Sequence, residues 1–254
     1  MRKTIPPGGY EREQLSSSIL AIRFSHRSRF AVARKLVEQY AGGKLLDYGC
    51  GDATFLAQIY DIFPNAIGTD NGQQQIDDCR YRLADLRDLR FCTTTELSEQ
   101  AYDSAFDVIT CMEVLEHCIE DDLNFILNEL RRLISPAGRI VISVPIEIGP
   151  PLIFKQVLRG YASWRGVGDY QYTEQYSAVE LMKMLFARAN TVIQRRRHAD
   201  RDKGNSYHTH MGFNWRRLHR QLAACFEIER LLFSPIGFAG ALANSQVWFV
   251  CHLP

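Results

Sequence analysis

The chain has 254 residues, of which 46% are hydrophobic and 23% are charged, and its formal net charge is +1. The length fits one α/β domain with an added segment, and the composition is typical of a globular protein with a hydrophobic core. A charge this close to zero argues against a general binder of nucleic acid or of membrane surfaces.

The cysteines indicate a reducing compartment. Seven is an odd number, and no two of them form a C-x-x-C pair. This pattern predicts neither a disulfide framework nor a zinc cluster, and it favours small buried side chains in a cytoplasmic protein. The cysteines stand at positions 50, 79, 92, 111, 118, 225 and 251.

Neither end of the chain predicts a membrane segment. Residues 1–14 lack the apolar core of a signal peptide. Residues 231–251 carry no charge, but Pro235, Gly237 and Gly240 interrupt them. We therefore expect two strands and a loop there, and no membrane span.

The first predicted element is a helix over residues 16–40. Apolar residues recur at helical spacing at positions 31, 32, 36 and 37, and Gly42 and Gly43 end the pattern. Residues 1–43 are therefore expected to form a helical lead-in to the core.

Residues 44–56 predict a strand, a turn and a helix in direct succession. An apolar strand leads into Asp47, and Gly49 and Gly51 then flank Cys50 in a turn without room for side chains. Glycines let the backbone approach a ligand, and the first N–H groups of the following helix are free to bind it. The succession predicts a nucleotide pocket.

A second acidic residue supports this pocket. Asp70 ends the next apolar stretch, about 20 positions after Gly51, where an acidic side chain holds the hydroxyl groups of a ribose. Ala53 stands where a third glycine is common. This substitution argues against a dinucleotide, because a pyrophosphate needs that close approach.

Strands and helices continue to alternate up to residue 145, which predicts a doubly wound, mostly parallel α/β sheet over the core, residues 44–145. The remaining elements expected there are a polar helix at 73–89, strands at 91–93, 106–111 and 139–144, and an amphipathic helix at 121–134.

Residues 146–212 break this alternation. Two helical stretches, at 152–158 and 177–189, flank a Gly- and Tyr-rich loop, and a basic run at 195–203 would hold a phosphate or form a solvated loop. About 65 residues are too many for a simple connection, so we expect an inserted lid or acceptor-binding region. Residues 213–254 then complete the core with a helix at 215–225 and antiparallel strands at 226–233 and 246–252.

Four segments in this order resemble the motifs of class I S-adenosylmethionine-dependent methyltransferases. They are Asp47-Tyr48-Gly49-Cys50-Gly51, Asp70, residues 106–117 and residues 133–144. The resemblance covers roughly residues 25–145 and returns at 213–252. It implies a Rossmann-like sheet of seven strands and S-adenosyl-L-methionine as the cofactor.

The resemblance also implies which residues hold that cofactor. The turn of Gly49, Cys50 and Gly51 would pass around its methionine part, with Asp47 near the amino group. Asp70 would bind the ribose, and Asn71 follows it in the same site. Met112 would lie against the adenine ring, and Thr94, Thr95 or Glu96 would make a polar contact to it, with Thr94 taken as the candidate.

Three histidines are candidates for the catalytic base of a hydroxyl acceptor. His117 follows the predicted fourth strand, and His208 and His210 close the insertion. An imidazole can accept a hydroxyl proton near neutral pH. We expect the three histidines to border the methyl-transfer site and no metal to be needed.

A divalent metal is the alternative at the same place. On a helix that begins near residue 113, Glu113, Glu116 and His117 would share one face and could bind an ion. The same E-x-x-E-H string resembles that of related methyltransferases, some of which use a metal on RNA ends or on quinols. This alternative requires the 113–117 face to converge with His208 or His210.

The leading functional prediction is a methyltransferase acting on a small-molecule or glycan-like acceptor, at oxygen. The alternatives are a metal-assisted 2'-O-methyltransferase of RNA ends and a protein that binds S-adenosylmethionine without catalysis. A nicotinamide-dependent dehydrogenase fits less well, given Ala53. The sequence carries no signal for an oligomeric state.

Overall fold

A computed structural model of the chain describes residues 8, 20–99, 101–164, 176–200 and 205–254. The helices within these residues are α1 (Leu20–Val37), α2 (Thr54–Ile59), α3 (Gln73–Arg82), α4 (Thr94–Ser98), α5 (Glu120–Leu133), α6 (Pro151–Trp164), α7 (Ala178–Leu185) and α8 (Trp215–Cys225). The strands are β1 (Leu45–Tyr48), β2 (Ile67–Asp70), β3 (Arg90–Thr93), β4 (Phe106–Met112), β5 (Ile134–Pro145), β6 (Arg197–Asp200), β7 (Asn205–His208), β8 (Glu227–Ser234) and β9 (Gln246–His252).

Seven strands form one sheet in the order β3-β2-β1-β4-β5-β9-β8. The pairs among β1 to β5 are parallel, whereas β9 is antiparallel to both β5 and β8. Strands β6 and β7 form a separate antiparallel pair. The predicted doubly wound, mostly parallel Rossmann-like sheet with a final antiparallel hairpin is confirmed.

Both faces of the sheet are buried, and strand β9 shows this most directly. Val247, Phe249 and Cys251 belong to one hydrophobic core, while Trp248 and Val250 belong to the other. Side chains alternate across a strand, so a strand buried on both faces is apolar along its whole length. Helices α1, α2 and α3 cover the face with Trp248, and α4, α5 and α8 cover the face with Phe249.

The strand order places a crevice between β1 and β4. The chain runs outward from β1 through β2 to β3 and then returns to the other side of β1 as β4. At such a switch point the connections leave in opposite directions, and ligands bind at the carboxyl ends of the two strands. Residues after Tyr48 and after Met112 therefore share one opening.

Several boundaries differ from those predicted. Helix α3 ends at Arg82 rather than at 89. Strand β5 begins at Ile134 rather than at the predicted residue 139. The register of its pairing with β4 shifts between Phe106 and Val108. Residues 135–138, between the helix predicted at 121–134 and the strand predicted at 139–144, thus belong to the strand.

The insertion contains helices α6 and α7 and the hairpin of β6 and β7. The two helices were predicted, whereas the hairpin occupies part of the basic run and was not. The boundaries 1–43, 44–145, 146–212 and 213–254 stay a prediction. Residues 1–7 and 9–19 of the lead-in and residues 165–175 of the Gly- and Tyr-rich loop lie outside the described residues.

Among the described residues, no helix combines the length and the apolar character needed to cross a lipid bilayer.

Helix α5 provides a test of the core. Leu130 is completely buried against the sheet, whereas Phe125 on the same helix is 53% exposed. Leu130→Ala should lower the free energy of unfolding by about 2–5 kcal/mol, because it removes buried methyl groups and leaves a cavity. Phe125→Ala should change it by less than about 0.5 kcal/mol. Urea denaturation followed by circular dichroism measures both, and equal effects would contradict this packing.

Candidate functional site

The glycine turn after β1 lies at the switch point. Gly49 and Gly51 have φ angles of 79° and 53°, which favour glycine because a Cβ is poorly tolerated there. A Cβ on Gly49 would lie 2.2 Å from Val114 Cγ2, so the turn packs closely on the segment after β4. The N–H groups of Gly49 and Cys50 both donate to the carbonyl of Thr69 at 2.8 Å, which fixes the turn to β2.

Asp70 braces this turn from the end of β2. One carboxylate oxygen accepts a hydrogen bond from the N–H of Gly51 and the other accepts one from the N–H of Gly72, both at 3.1 Å. A carboxylate offers about four lone-pair sites, so both oxygens keep acceptor capacity for the hydroxyl groups of a ligand. Asn71 follows Asp70 and is exposed.

Asp47 is the buried acid of the turn region. Its side chain is 2% exposed, and the hydroxyl of Thr110 donates to its Oδ1 at 2.6 Å. Burial raises the pKa of Asp47 to about 7, although the bond from Thr110 opposes the shift. A carboxylate kept in such a place is suited to pair with a cationic group of a ligand.

The predicted adenine contacts lie at the ends of β3 and β4. Thr94 begins α4, whose cap joins Thr93 and Glu96: the Thr93 hydroxyl accepts from the N–H of Glu96, and the Glu96 carboxylate accepts from the N–H of Thr93. Because the cap occupies Glu96, Thr94 and Thr95 are the stronger polar candidates. Met112 ends β4 and is half-buried.

Glu116, His117 and His210 form a cluster just beyond the segment that packs on Gly49. The Nε2 atoms of His117 and His210 are 3.0 Å apart, although 93 positions separate the residues. Oε1 of Glu116 lies 3.9 Å from Nε2 of His117 and 3.7 Å from Nε2 of His210. One ligand atom from each residue lies within 4.8 Å of the others, so the three residues could together hold a metal ion.

Among the described residues, neither carboxylate oxygen of Glu116 has a hydrogen-bond partner, and the side chain is completely buried. Burial, followed by the nearby charge of Glu113, raises the pKa of Glu116 well above its usual range. An ionised carboxylate without a partner is costly in a protein interior. The two oxygens therefore fit a cation placed between them and the imidazoles.

The ring of His117 is oriented by a backbone carbonyl. Its Nδ1 lies 2.8 Å from the carbonyl oxygen of His208, which can only accept, so the neutral ring carries its proton on Nδ1. The lone pair of Nε2 then faces the cluster. Burial is the largest cause that lowers the pKa of both His117 and His210, and neutral imidazoles are the form that binds metals.

His208 joins the site through its backbone and not through its ring. Its Nδ1 donates to the carbonyl of Arg196 at 2.8 Å, across the pair of β6 and β7. Of the three histidines predicted to border the site, the structure thus brings the rings of His117 and His210 together, while His208 holds His117 in place.

Glu113 lies outside the helical turn that carries the cluster, and the expected helix from residue 113 is wrong. Its φ of 57° is left-handed, and the short 3-10 helix begins only at Leu115. The carboxylate accepts bonds from Nη2 of Arg29 at 2.9 Å and from the hydroxyl of Ser143 at 3.3 Å. These bonds tie α1 and β5 to the end of β4.

Two charged groups near the cluster were not predicted to contribute. Glu147, 1% exposed, accepts bonds from Lys155 and Arg159 of α6, and these two cations hold the pKa of its carboxyl down, at about 2, against the opposing effect of burial. Arg195 donates to three backbone carbonyls around the cluster. The sequence shows Arg195 only as part of a basic run, because contacts with carbonyls leave no signature in residue type.

Comparison with known proteins agrees with this geometry. The sequence profile of the family described as "Methyltransferase domain" matches residues 46–140. The small RNA 2'-O-methyltransferase of Mus musculus is 30% identical over 154 residues, which are 54% of this chain and 39% of that protein. The ubiquinone biosynthesis O-methyltransferase of Bartonella tribocorum is 26% identical over 152 residues, 59% of this chain and 61% of that protein. The chain matches less than two thirds of either relative.

Solved structures share the fold at low identity. The PH0226 protein of Pyrococcus horikoshii OT3 superposes with a TM-score of 0.61 at 16% identity, covering 98% of this chain and 100% of that one. The methyltransferase domain of bacterial-CtHen1-CN gives 0.55 at 15% identity, covering 90% and 99%. The profile match over residues 46–140 and the order of the motifs support a class I S-adenosylmethionine-dependent methyltransferase, and these solved structures share its fold.

Proposed function

We propose that this chain transfers a methyl group from S-adenosylmethionine to a hydroxyl oxygen, with a divalent cation held by Glu116, His117 and His210. The observation that carries the proposal is the convergence of these three side chains beside the glycine turn. The metal alternative required the 113–117 face to converge with His208 or His210. Glu116 and His117 meet His210, while Glu113 is bonded to Arg29 and Ser143 instead. On this partial convergence the metal takes precedence over the metal-free histidine base, which stays the alternative outcome of the experiment below.

The spacing of the nitrogens supports a shared ion. Two nitrogen ligands about 2.1 Å from one ion and at right angles to each other are about 3 Å apart, and the two Nε2 atoms are separated by 3.0 Å. Imidazole nitrogen together with carboxylate oxygen suits zinc, manganese or iron rather than calcium. The oxygens of Glu116, which have no hydrogen-bond partner among the described residues, would supply the negative charge.

The proposed chemistry follows from the positions of the glycine turn and of the Glu116 cluster. A bound cation would act as a Lewis acid that lowers the pKa of an acceptor hydroxyl. The hydroxyl would give its proton to solvent water, its oxygen would form a bond to the methyl carbon, and the carbon–sulfur bond would break to leave S-adenosylhomocysteine, a neutral thioether. The glycine turn holds the donor and the Glu116 cluster holds the acceptor, so the switch point supplies the alignment that this displacement needs.

The end of an RNA strand is the first candidate acceptor. The mouse relative is by name a small RNA 2'-O-methyltransferase, and a ribose end offers the hydroxyl that the cluster would bind. The net charge of +1 does not favour contact along a whole strand, so recognition would concern the terminal nucleotide.

A small hydroxyl-bearing molecule is the second candidate. Several relatives are ubiquinone biosynthesis O-methyltransferases by name, which supports transfer to oxygen and the earlier prediction of a small acceptor. A glycan-like acceptor belongs to the same class, since it also presents hydroxyl groups. A cytoplasmic location stays part of the proposal and is supported by the seven cysteines, all of which are unpaired.

The first prediction concerns the ribose of the cofactor. Asp70→Ala removes charge-assisted hydrogen bonds, which contribute about 1.5–3 kcal/mol, so the affinity for S-adenosylhomocysteine should fall by tenfold or more. Asp77→Ala, at an exposed position on α3, is the control and should leave the affinity unchanged. Calorimetric titration measures both variants, and an unaltered affinity in folded Asp70→Ala protein would exclude the assignment.

The second prediction concerns the buried acid. The folded pKa of Asp47 is raised from 3.8 to about 7, so between these values the folded protein keeps a proton that the unfolded chain has lost. Stability from this group is fully present below about pH 4 and is lost as the pH rises towards 7, by at most about 1.4 kcal/mol per pH unit. Asp47→Asn removes the ionisable carboxyl group and therefore this dependence of stability on pH.

Denaturation of cofactor-free protein at about pH 5, 6, 7 and 8 measures this effect. The stability of the unaltered protein relative to Asp47→Asn should decrease steadily up to about pH 7 and then stay constant. A difference that does not depend on pH would show that Asp47 is not the group with the raised pKa.

The third prediction tests the proposed function directly. Transfer of labelled methyl groups to an RNA with a terminal 2'-hydroxyl should be abolished by a chelator and restored by manganese or zinc. His117→Ala and His210→Ala should each reduce turnover by about a hundredfold or more, whereas His208→Ala should have a small effect because its carbonyl remains.

Two further sets of acceptors show which hydroxyl group receives the methyl group in this assay. An RNA of the same sequence with a 2'-deoxy terminus should accept no label, and a panel of small hydroxyl compounds tests the second acceptor class. Activity that survives chelation but depends on His117 and His210 would establish the metal-free base instead. Cofactor binding without turnover on either class would favour the non-catalytic alternative.

A further inference from the structure

We propose that Arg195 is a positioning residue that holds the two separate parts of the Glu116 cluster in register for cation binding. This inference rests on the proposed function, because it concerns the same cluster. It adds a residue that neither the motifs nor the candidate ligands include.

The guanidinium of Arg195 contacts both parts of the cluster. Its Nη2 donates to the carbonyl of Glu116, at the end of the 3-10 helix, and to the carbonyl of Thr209. Its Nε donates to the carbonyl of Met211 at 3.4 Å. Two of these carbonyls flank His210 in the chain, and the third belongs to Glu116 itself.

These carbonyls need a donor. The last carbonyls of a short helix have no partner within it, and the segment around residue 210 is not part of a strand or helix. A planar guanidinium can donate several bonds in fixed directions, so one side chain can join two segments that the chain brings together from far apart. Phe213 lies beneath the guanidinium at 5.3 Å and limits its movement.

The bonds of Arg195 affect the spacing of the candidate ligand atoms as well as the stability of the 209–211 segment. His210 Nε2 must lie close to His117 Nε2 and to Oε1 of Glu116 for one ion to bind all three. A shift of the 209–211 segment by one ångström would separate these atoms, and groups that orient metal ligands typically change metal affinity by about 10–100-fold. Arg195 therefore acts on the spacing of the ligands and touches none of the reacting atoms.

Arg216 provides a matched control in the same part of the chain. Its Nη1 donates to the carbonyl of Ala187, and its guanidinium lies 5.3 Å from the ring of Trp215. Like Arg195, it joins a backbone carbonyl and an aromatic ring, but Ala187 lies outside the cluster. Removing Arg216 should therefore reproduce the loss of stability without the loss of ligand spacing.

The experiment is a calorimetric titration of cobalt(II) into tag-free protein, with His117→Ala defining the background from other histidines. Arg195→Gln should weaken cobalt binding by about 10–100-fold while the affinity for S-adenosylhomocysteine stays constant. Arg195→Lys should recover part of the loss, because an ammonium can reach some of the carbonyls. Arg216→Gln should bind cobalt normally, even if its melting temperature falls as far as that of Arg195→Gln.

Each other outcome overturns the inference. Normal cobalt affinity in Arg195→Gln, or equal weakening in Arg216→Gln, would show that Arg195 has no specific effect on the ligands. If the unaltered protein binds no cobalt above the His117→Ala background, the metal itself is refuted and the inference with it. Cobalt binding in the unaltered protein thus separates failure of the inference from failure of the proposed function.

Discussion

The arrangement of the site depends on one buried carboxylate. Glu116 is removed from water, and within the part of the chain that the structure describes neither of its oxygens has a hydrogen-bond partner, so its ionised form is disfavoured unless a positive charge lies beside it. The surroundings suit such a charge: the Nε2 atoms of His117 and His210 lie 3.0 Å apart beside the carboxylate, and a backbone carbonyl fixes the tautomer of His117. Buried ionisable groups with strongly shifted pKa values, such as Glu116, cluster at functional sites, where the binding of a ligand can offset their cost.

The sheet explains why the glycine turn and the segment that carries Glu116 lie side by side. Parallel strands end at one edge, and the reversal of order between β1 and β4 opens a crevice there. Gly49 leaves β1 on one side of it, and Val114 follows β4 on the other, close enough that a Cβ on Gly49 would overlap it. The missing side chain at Gly49 therefore brings the cofactor turn and the segment leading to Glu116 into direct contact.

The core and its motifs were predictable from the sequence, because hydrophobic periodicity and glycine positions are local. The turn at Gly49, the acid at Asp70 and the final antiparallel pair follow from such patterns. The cluster was not predictable, since His210 meets His117 only through the path of the whole insertion. The left-handed Glu113 also broke the expected helix, because its carboxylate is held by residues from two other elements.

The position of β9 has a consequence for how the protein is made. Strand β8 pairs with β9 and with no other described strand, and β9 lies between β8 and β5. During synthesis β8 leaves the ribosome first, so its edge and that of β5 stay open until residues 246–252 follow. Unpaired edges are where strands from different chains join. For this interval a nascent chain would depend on chaperones, or on rapid insertion of its last strand, to avoid pairing with a neighbour.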